Sequence, residues 1–342
     1  MADNMPDDMA DDMADDMAGA ILSVRNLHMR YRSRHGAVHA LNGVDFSVRS
    51  GETVGLVGES GCGKTALTLS ALRLLPKSAE TTDGAILFDG KDLLGCSESA
   101  MRRIRGSGIA LIPQDPMVSL DPLFPIGRQI AEALTAHRRM SAGEARQRTL
   151  ELLTKVGIPD AERRIGAYPH ELSGGMRQRV VGAIGVSCAP KVLIADEPTT
   201  ALDVTIQAQY LALLKRLQAE TNLALVIITH DLSVVAQMCD RVAVMYAGRI
   251  VEQADVHTLF DDPRHPYTRA LITAGRYAGG GRMTSIGGEP PKLSAPPAAC
   301  SFAPRCDRAI PRCRAELPAA VGLSASHFSA CFRAAEPMGG IQ

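Results

Sequence analysis

Four stretches of this chain are unbroken apolar runs of strand length: TVGLV at 53–57, VLIA at 192–195, LALVIIT at 223–229 and VAVMY at 242–246. Runs of this kind suit strands covered on both faces, as in parallel sheets. ILSVRNL at 21–27 and VDFSV at 44–48 instead alternate apolar with polar positions, which predicts half-buried strands. Ala66 to Leu75 is rich in Leu and Ala and predicts a helix ended by Pro76. The stretch 125–180 reads as mostly helical with Gly and Pro punctuation, and a helix-rich segment separates VLIA from LALVIIT. Together these give the βαβ rhythm of a parallel α/β sheet. From about Asp261 the pattern weakens and Pro, Gly and Arg increase. Gly279 to Gly281 read as a linker, and 263–342 as a small appended domain.

Composition changes this picture at the N-terminus. Overall the 342 residues balance, with 37 basic against 37 acidic side chains, so a nucleic-acid footprint finds no support in charge. The first eighteen residues, however, hold seven Asp and no basic residue, repeating DDMA at 7–10, 11–14 and 15–18. Residues 1–19 are therefore expected to be a disordered acidic tail. They lack the basic start and apolar run of a secretory signal. No window approaches the roughly 20 apolar residues that span a bilayer. The expectation is a cytosolic protein that needs partner chains for any work across a membrane.

Three motifs carry chemistry. GESGCGKT at 58–65 fits G-x-x-x-x-G-K-[ST] and lies between a strand and a helix. Its glycines turn backbone N–H groups inward around phosphates, Lys64 brings a point charge to the β and γ oxygens, and Thr65 offers a hydroxyl to Mg²⁺. VLIADE at 192–197 ends a buried strand with two carboxylates. Asp196 is placed to hold a water on Mg²⁺, and Glu197 to polarise a water attacking the γ-phosphate. LSGGMRQR at 172–179 sets Ser173, Gly174 and Gly175 before a helix, a second anion-binding helix start.

The order of these motifs resembles the nucleotide-binding subunit of ABC transporters across residues 20–262. The resemblance implies an α/β P-loop NTPase cassette: a RecA-like core, an antiparallel β subdomain and a helical subdomain at about 115–180. It implies ATP and Mg²⁺ as ligands, with Gly58, Glu59, Ser60, Gly61, Cys62, Gly63, Lys64 and Thr65 around the phosphates. Tyr31 takes the place of the adenine-stacking aromatic. Gln114 joins Thr65 and Asp196 at Mg²⁺ and links to the membrane subunits. Glu197, His230 and Gln114 are the expected catalytic residues. Residues 172–176 form the signature loop, which with Gln178 and with Asp203 after Leu202 would serve the partner's nucleotide in a head-to-tail dimer. Cys62, in a loop position where many relatives carry a small hydroxyl residue, suggests sensitivity to thiol reagents.

QDPMVSLDP at 114–122, HPYTRAL at 265–271, IGGEPPKL at 286–293 and CSFAPRC at 300–306 resemble one branch of that family, the bacterial dipeptide and oligopeptide importers. The branch implies a second ATPase subunit, expected to be a paralogue, two transmembrane permease subunits and, indirectly, an extracytoplasmic substrate-binding protein. It implies no nucleic acid, and a peripheral location on the cytoplasmic face of the inner membrane. Related importers carry nickel complexes or glycosides. A non-transport ABC ATPase is disfavoured because only 107 residues lie between Thr65 and Ser173, too few for a long coiled coil, and the chain holds one cassette. An exporter is disfavoured by the importer-like C-terminus, and a redox protein by the intact Glu197 and His230.

Cys62, Cys96, Cys188 and Cys239 are scattered and read as ordinary small residues, whereas Cys300, Cys306, Cys313 and Cys331 cluster in the last 43 residues. A stable disulfide is not expected in the cytosol. The absence of a C-x₂₋₄-C pair speaks against zinc. The resemblance to importers with similar spacing implies a [4Fe–4S] cluster acting as a structural staple, with zinc or unligated thiols as the alternatives. Arg305, Arg312 and Arg314 are candidates to offset its charge.

Overall fold

The computed structural model describes residues 19–34, 36–200, 202–276 and 286–336. The acidic DDMA repeat and the Gly279–Gly281 linker lie outside these residues. The chain forms two compact units. The first combines the residues up to Arg49 with Thr53–Gly95 and those from Thr229 onward; the second combines Ser50–Glu52 with Cys96–Ile228.

The first unit holds an antiparallel sheet in the order Gly36–Arg49, Ala20–Ser33, Ala79–Phe88, Lys91–Asp92. Val24 pairs with Phe46 on one side and Ile86 on the other, and all three are buried. The alternation expected from ILSVRNL is not kept: Ile21 to Val24 are all buried, Arg25 and Asn26 are exposed, and Asn26, with φ of 43°, lies in a register shift of the ladder. In the same unit the fully buried strand Thr53–Val57 pairs in parallel with Arg241–Tyr246. That ladder continues antiparallel through Arg249–Asp255, His327–Ser329 and Val321–Ser324. The last hairpin of the chain thus extends the ladder that contains the strand leading into the glycine loop.

The helix after that loop spans Lys64–Leu72, shorter than the expected run to Leu75. Arg73 takes a left-handed conformation (φ 50°), and its N–H and that of Leu74 close back on carbonyls of the last turn, so the helix ends before Pro76.

The second unit is built on the parallel strands Ile109–Ile112, Val192–Asp196 and Ala224–Ile228, with Leu111, Ile194 and Val226 in register. The last two strands are buried at every position, as their unbroken apolar runs require. Its helices include Ile126–His137, Ala142–Lys155 and Gly174–Val186, which fill the stretch read as helical. The strands Ala79–Phe88, Ile109–Ile112 and Arg249–Asp255 come in addition to those expected from sequence, although IALI at 109–112 is an apolar run of the same kind as VLIA.

Candidate functional site

The glycine loop leaves the buried strand at Val57 and enters the helix at Lys64. Gly58, Gly61 and Gly63 have φ of 153°, 79° and 116°. At Gly58 the space is as decisive as the dihedral, because a Cβ there would sit 2.2 Å from the Met245 carbonyl oxygen. Lys64 is 8% exposed; its Nζ donates to the carbonyls of Gly58 at 2.7 Å and Glu59 at 3.0 Å. The ammonium therefore lies over the loop's own oxygens, at the position that phosphate oxygens would compete for. Ser60 and Thr65 are exposed, and Tyr31 is half-buried on its strand, with burial pushing its hydroxyl pKa up. Cys62 departs from the expected thiol sensitivity. It is 5% exposed, and burial raises its thiol pKa against the opposing effect of Lys64, which disfavours the reactive thiolate.

In the second unit Asp196 is buried at the end of its strand, and Glu197 follows with φ of 45°. A bulky residue holds that conformation only where its surroundings enforce it. Here the Glu197 N–H donates to the Ile228 carbonyl at 2.8 Å. Its carboxylate accepts from Gln114 Nε2 at 2.8 Å and from the Thr200 hydroxyl at 2.9 Å. The structure thus brings together Gln114 and Glu197, 83 residues apart in sequence, and adds Thr200, which sequence reasoning missed.

Ser173 caps the helix Gly174–Val186, its hydroxyl accepting from the Met176 N–H. Gly175 is needed for close approach: a Cβ there would meet Ile206 Cγ2 at 2.5 Å. Asp203 caps the helix Val204–Thr221 by accepting from the Ile206 N–H at 3.0 Å. Gln178 is 2% exposed, inside the fold rather than on the loop's surface. His230, in the first unit, is exposed just before Asp231, the cap of the helix Leu232–Met238.

The segment from His265 onward packs on the first unit. The fully buried Glu252 carboxylate accepts the Arg264 and His265 backbone N–H groups at 2.6 and 2.9 Å and lies 2.9 Å from His327 Nε2. Burial lowers the His265 pKa to about 4. The neutral ring accepts the Tyr267 N–H at Nδ1, 3.1 Å away. The Tyr267 hydroxyl in turn accepts the Glu59 N–H of the glycine loop at 2.8 Å. The HPY triplet is thus a buried brace on that loop.

Cys300, Cys306, Cys313 and Cys331 line one small cavity together with Arg264, Arg308 and Arg333. Burial raises the pKa of the Cys300, Cys306 and Cys331 thiols. Among the described residues no three His, Cys, Asp or Glu side chains stand in an arrangement that could hold a metal ion. The expected arginines are not the ones at the cavity. Arg312 pairs with Glu316 at 2.8 Å, and Arg305 turns away to Glu59.

Residues 41–200 match the ABC transporter family, and residues 251–313 match the C-terminal region of oligopeptide/dipeptide transporters. A post-hydrolysis dimeric structure of the ATP-binding cassette MJ0796 bound to ADP and Pi aligns with a TM-score of 0.62 and 26% identity, over 69% of this chain and 98% of that one. CbiO1 from Clostridium perfringens, part of the cbiONQ ABC transporter complex, aligns with a TM-score of 0.61 and 31% identity, over 71% of this chain and 91% of that one. The fold is that of an ABC ATPase cassette.

A probable peptide ABC transporter ATP-binding protein of Sinorhizobium fredii is 51% identical, over 92% of this chain and 96% of its own length. The dipeptide transport ATP-binding protein DppD of Bacillus subtilis is 50% identical over 84% and 86%. The oligopeptide transport protein OppD of the same organism is 46% identical over 90% and 87%. The chain belongs to the ATP-binding proteins of the peptide ABC transporter family.

Proposed function

We propose that this chain is the ATP-hydrolysing subunit that energises import of dipeptides or oligopeptides through an ABC transporter. The observation that carries the reading is the Glu197 carboxylate, held at the end of a buried strand by Gln114 and Thr200. That is the placement a water-polarising group needs.

In this reading Lys64 exchanges its bonds to the Gly58 and Glu59 carbonyls for β- and γ-phosphate oxygens. The N–H groups from Ser60 to Thr65 surround the phosphates, and Tyr31 stacks on adenine. Thr65, Gln114 and Asp196 would hold Mg²⁺, which would offset phosphate charge. Glu197 draws a proton from the attacking water, and His230 bonds the γ-phosphate. Ser173, Gly174, Gly175 and Asp203 serve the nucleotide of a second ATPase subunit, a paralogue, in a head-to-tail dimer, while the buried Gln178 has no part in that contact. The dimeric form of the solved cassette MJ0796 supports that geometry. Residues 20–262 are the nucleotide-binding domain and those from 263 the peptide-importer extension. Among the described residues no helix is long and apolar enough to cross a membrane. In this reading two permease subunits supply the path, fed by an extracytoplasmic binding protein, with this chain peripheral on the cytoplasmic face.

The thiol set at 300–331 is proposed to hold a [4Fe–4S] cluster. The support is chemical: four thiols, the ligand type and number such a cluster takes, line one cavity beside three arginines. A cluster held by Cys300, Cys306, Cys313 and Cys331 would staple together a segment with little core of its own. Neutral thiols must deprotonate on loading, which couples binding to proton release.

Glu197→Gln tests the main reading. ATP turnover in the assembled transporter should fall at least about a hundredfold while MgATP affinity is retained. Turnover near wild type would overturn the role of Glu197.

A further inference from the structure

Glu59 is an unexpected residue in a loop built for a polyanion: its carboxylate carries the same sign as the phosphates. The structure gives that carboxylate a cationic partner. Arg305, between Phe302 and Cys306 in the C-terminal segment, makes a bidentate pair with it, Nη1 to Oε2 at 2.6 Å and Nη2 to Oε1 at 2.8 Å. The Arg305 side chain is 3% exposed and Glu59 25%. The other guanidinium donors reach the Tyr246 hydroxyl at 3.2 Å, the Ile286 carbonyl at 3.0 Å and the Gly287 carbonyl at 2.8 Å. All five N–H donors of the fork are thus engaged, a geometry that lysine cannot reproduce. The backbone of Glu59 is held from the same segment, its N–H donated to Tyr267. Phe302 stacks edge-on against Tyr246 and Tyr267, 5.3 and 5.4 Å between ring centroids. Two of the cavity thiols, Cys300 and Cys306, bracket Phe302 and Arg305.

We propose that Arg305 is a positioning residue for the nucleotide site, a bolt from the C-terminal extension that neutralises Glu59 and turns its carboxylate out of the phosphate path. The extension thereby sets ATP affinity without touching ATP. The inference rests on the reading of the glycine loop as the ATP-binding element. It makes a specific demand on epistasis. Removing Arg305 alone frees a carboxylate beside the phosphates, whereas removing Glu59 as well takes away the charge that needed restraint.

The test is equilibrium binding of a fluorescent ribose-labelled ATP analogue with magnesium to the full chain, with thermal unfolding followed in parallel. Arg305→Gln should raise the Kd about tenfold, equivalent to about 1.4 kcal/mol. Arg305→Lys should also weaken binding, because it keeps the charge and loses the fork. Glu59→Gln/Arg305→Gln should bind more tightly than Arg305→Gln alone, close to wild type. In the assembled transporter the KM for ATP should rise in Arg305→Gln with kcat little changed. A lowered melting temperature with wild-type affinity would make Arg305 a structural bolt only and overturn the proposal. A double variant no better than Arg305→Gln would also overturn it, since Arg305 would then act on the phosphates directly. If Arg305→Gln does not fold, the comparison of Arg305→Lys with the double variant decides. Lys64→Ala is the control. A wild-type chain that retains no nucleotide defeats the functional reading itself, whereas wild type binding and Lys64→Ala failing, with Arg305→Gln unchanged, defeats only this inference.

Discussion

At the scale of single residues, Gly63 shows how position dictates type. Its φ is 116°, and a Cβ would lie 2.7 Å from the Ala40 carbonyl oxygen and 2.8 Å from the Met245 methyl. Gly63→Ala combines backbone strain with a backbone clash, so it should cost about 2 kcal/mol or more of unfolding free energy. Binding of the fluorescent ATP analogue should be lost with it; denaturant titration and binding on the same preparation check both. The glycine loop with Lys64 and Thr65, and the adjacent carboxylates Asp196 and Glu197, were legible from sequence because each is a set of residue types at short, fixed spacing. Thr200 and Arg305 were not. Thr200 lies only three positions after Glu197, but its bond depends on how that loop turns, and Arg305 acts on a carboxylate 246 positions away, a separation that no local pattern encodes.

At the scale of elements, caps and turns decided what propensity left open. The helix Ala142–Lys155 begins at a capping box: the Ser141 hydroxyl accepts the Glu144 N–H, and the Glu144 carboxylate accepts the Ser141 N–H at 2.7 Å. The S-x-x-E spacing that announces it is present at 141–144. Ser141→Ala should lower stability by about 1 kcal/mol and leave ATP-analogue affinity unchanged, read by denaturant midpoint and by binding. The buried strands were legible because both of their faces are covered, which leaves a continuous apolar run. The strands Ala79–Phe88 and Arg249–Asp255 were not, since the first is mostly half-buried and the second carries the buried Glu252 and Gln253. Glu252 is tolerated because two backbone N–H groups and His327 satisfy it, and those partners come from distant chain.

For the whole molecule, the C-terminal extension belongs to the same compact unit as the glycine loop, joined through Glu252↔Ser329 pairing and the Glu59 contacts. Full-length protein purified without oxygen should be brown and contain iron and acid-labile sulfide at about four each per chain, the stoichiometry of one [4Fe–4S] cluster; colourless, iron-free protein prepared that way would overturn the cluster. Sequence by itself determined the α/β class, the phosphate-binding loop, the carboxylate pair and the family, because each depends on residue type at short, fixed separations. Tertiary structure alone decided which arginines face the thiols, that Cys62 is buried and disfavoured as a thiolate, and that the last segment of the chain grips the loop at 58–65. Those outcomes are set by close packing and charge pairing between residues far apart in the chain, and only folding brings such residues into contact.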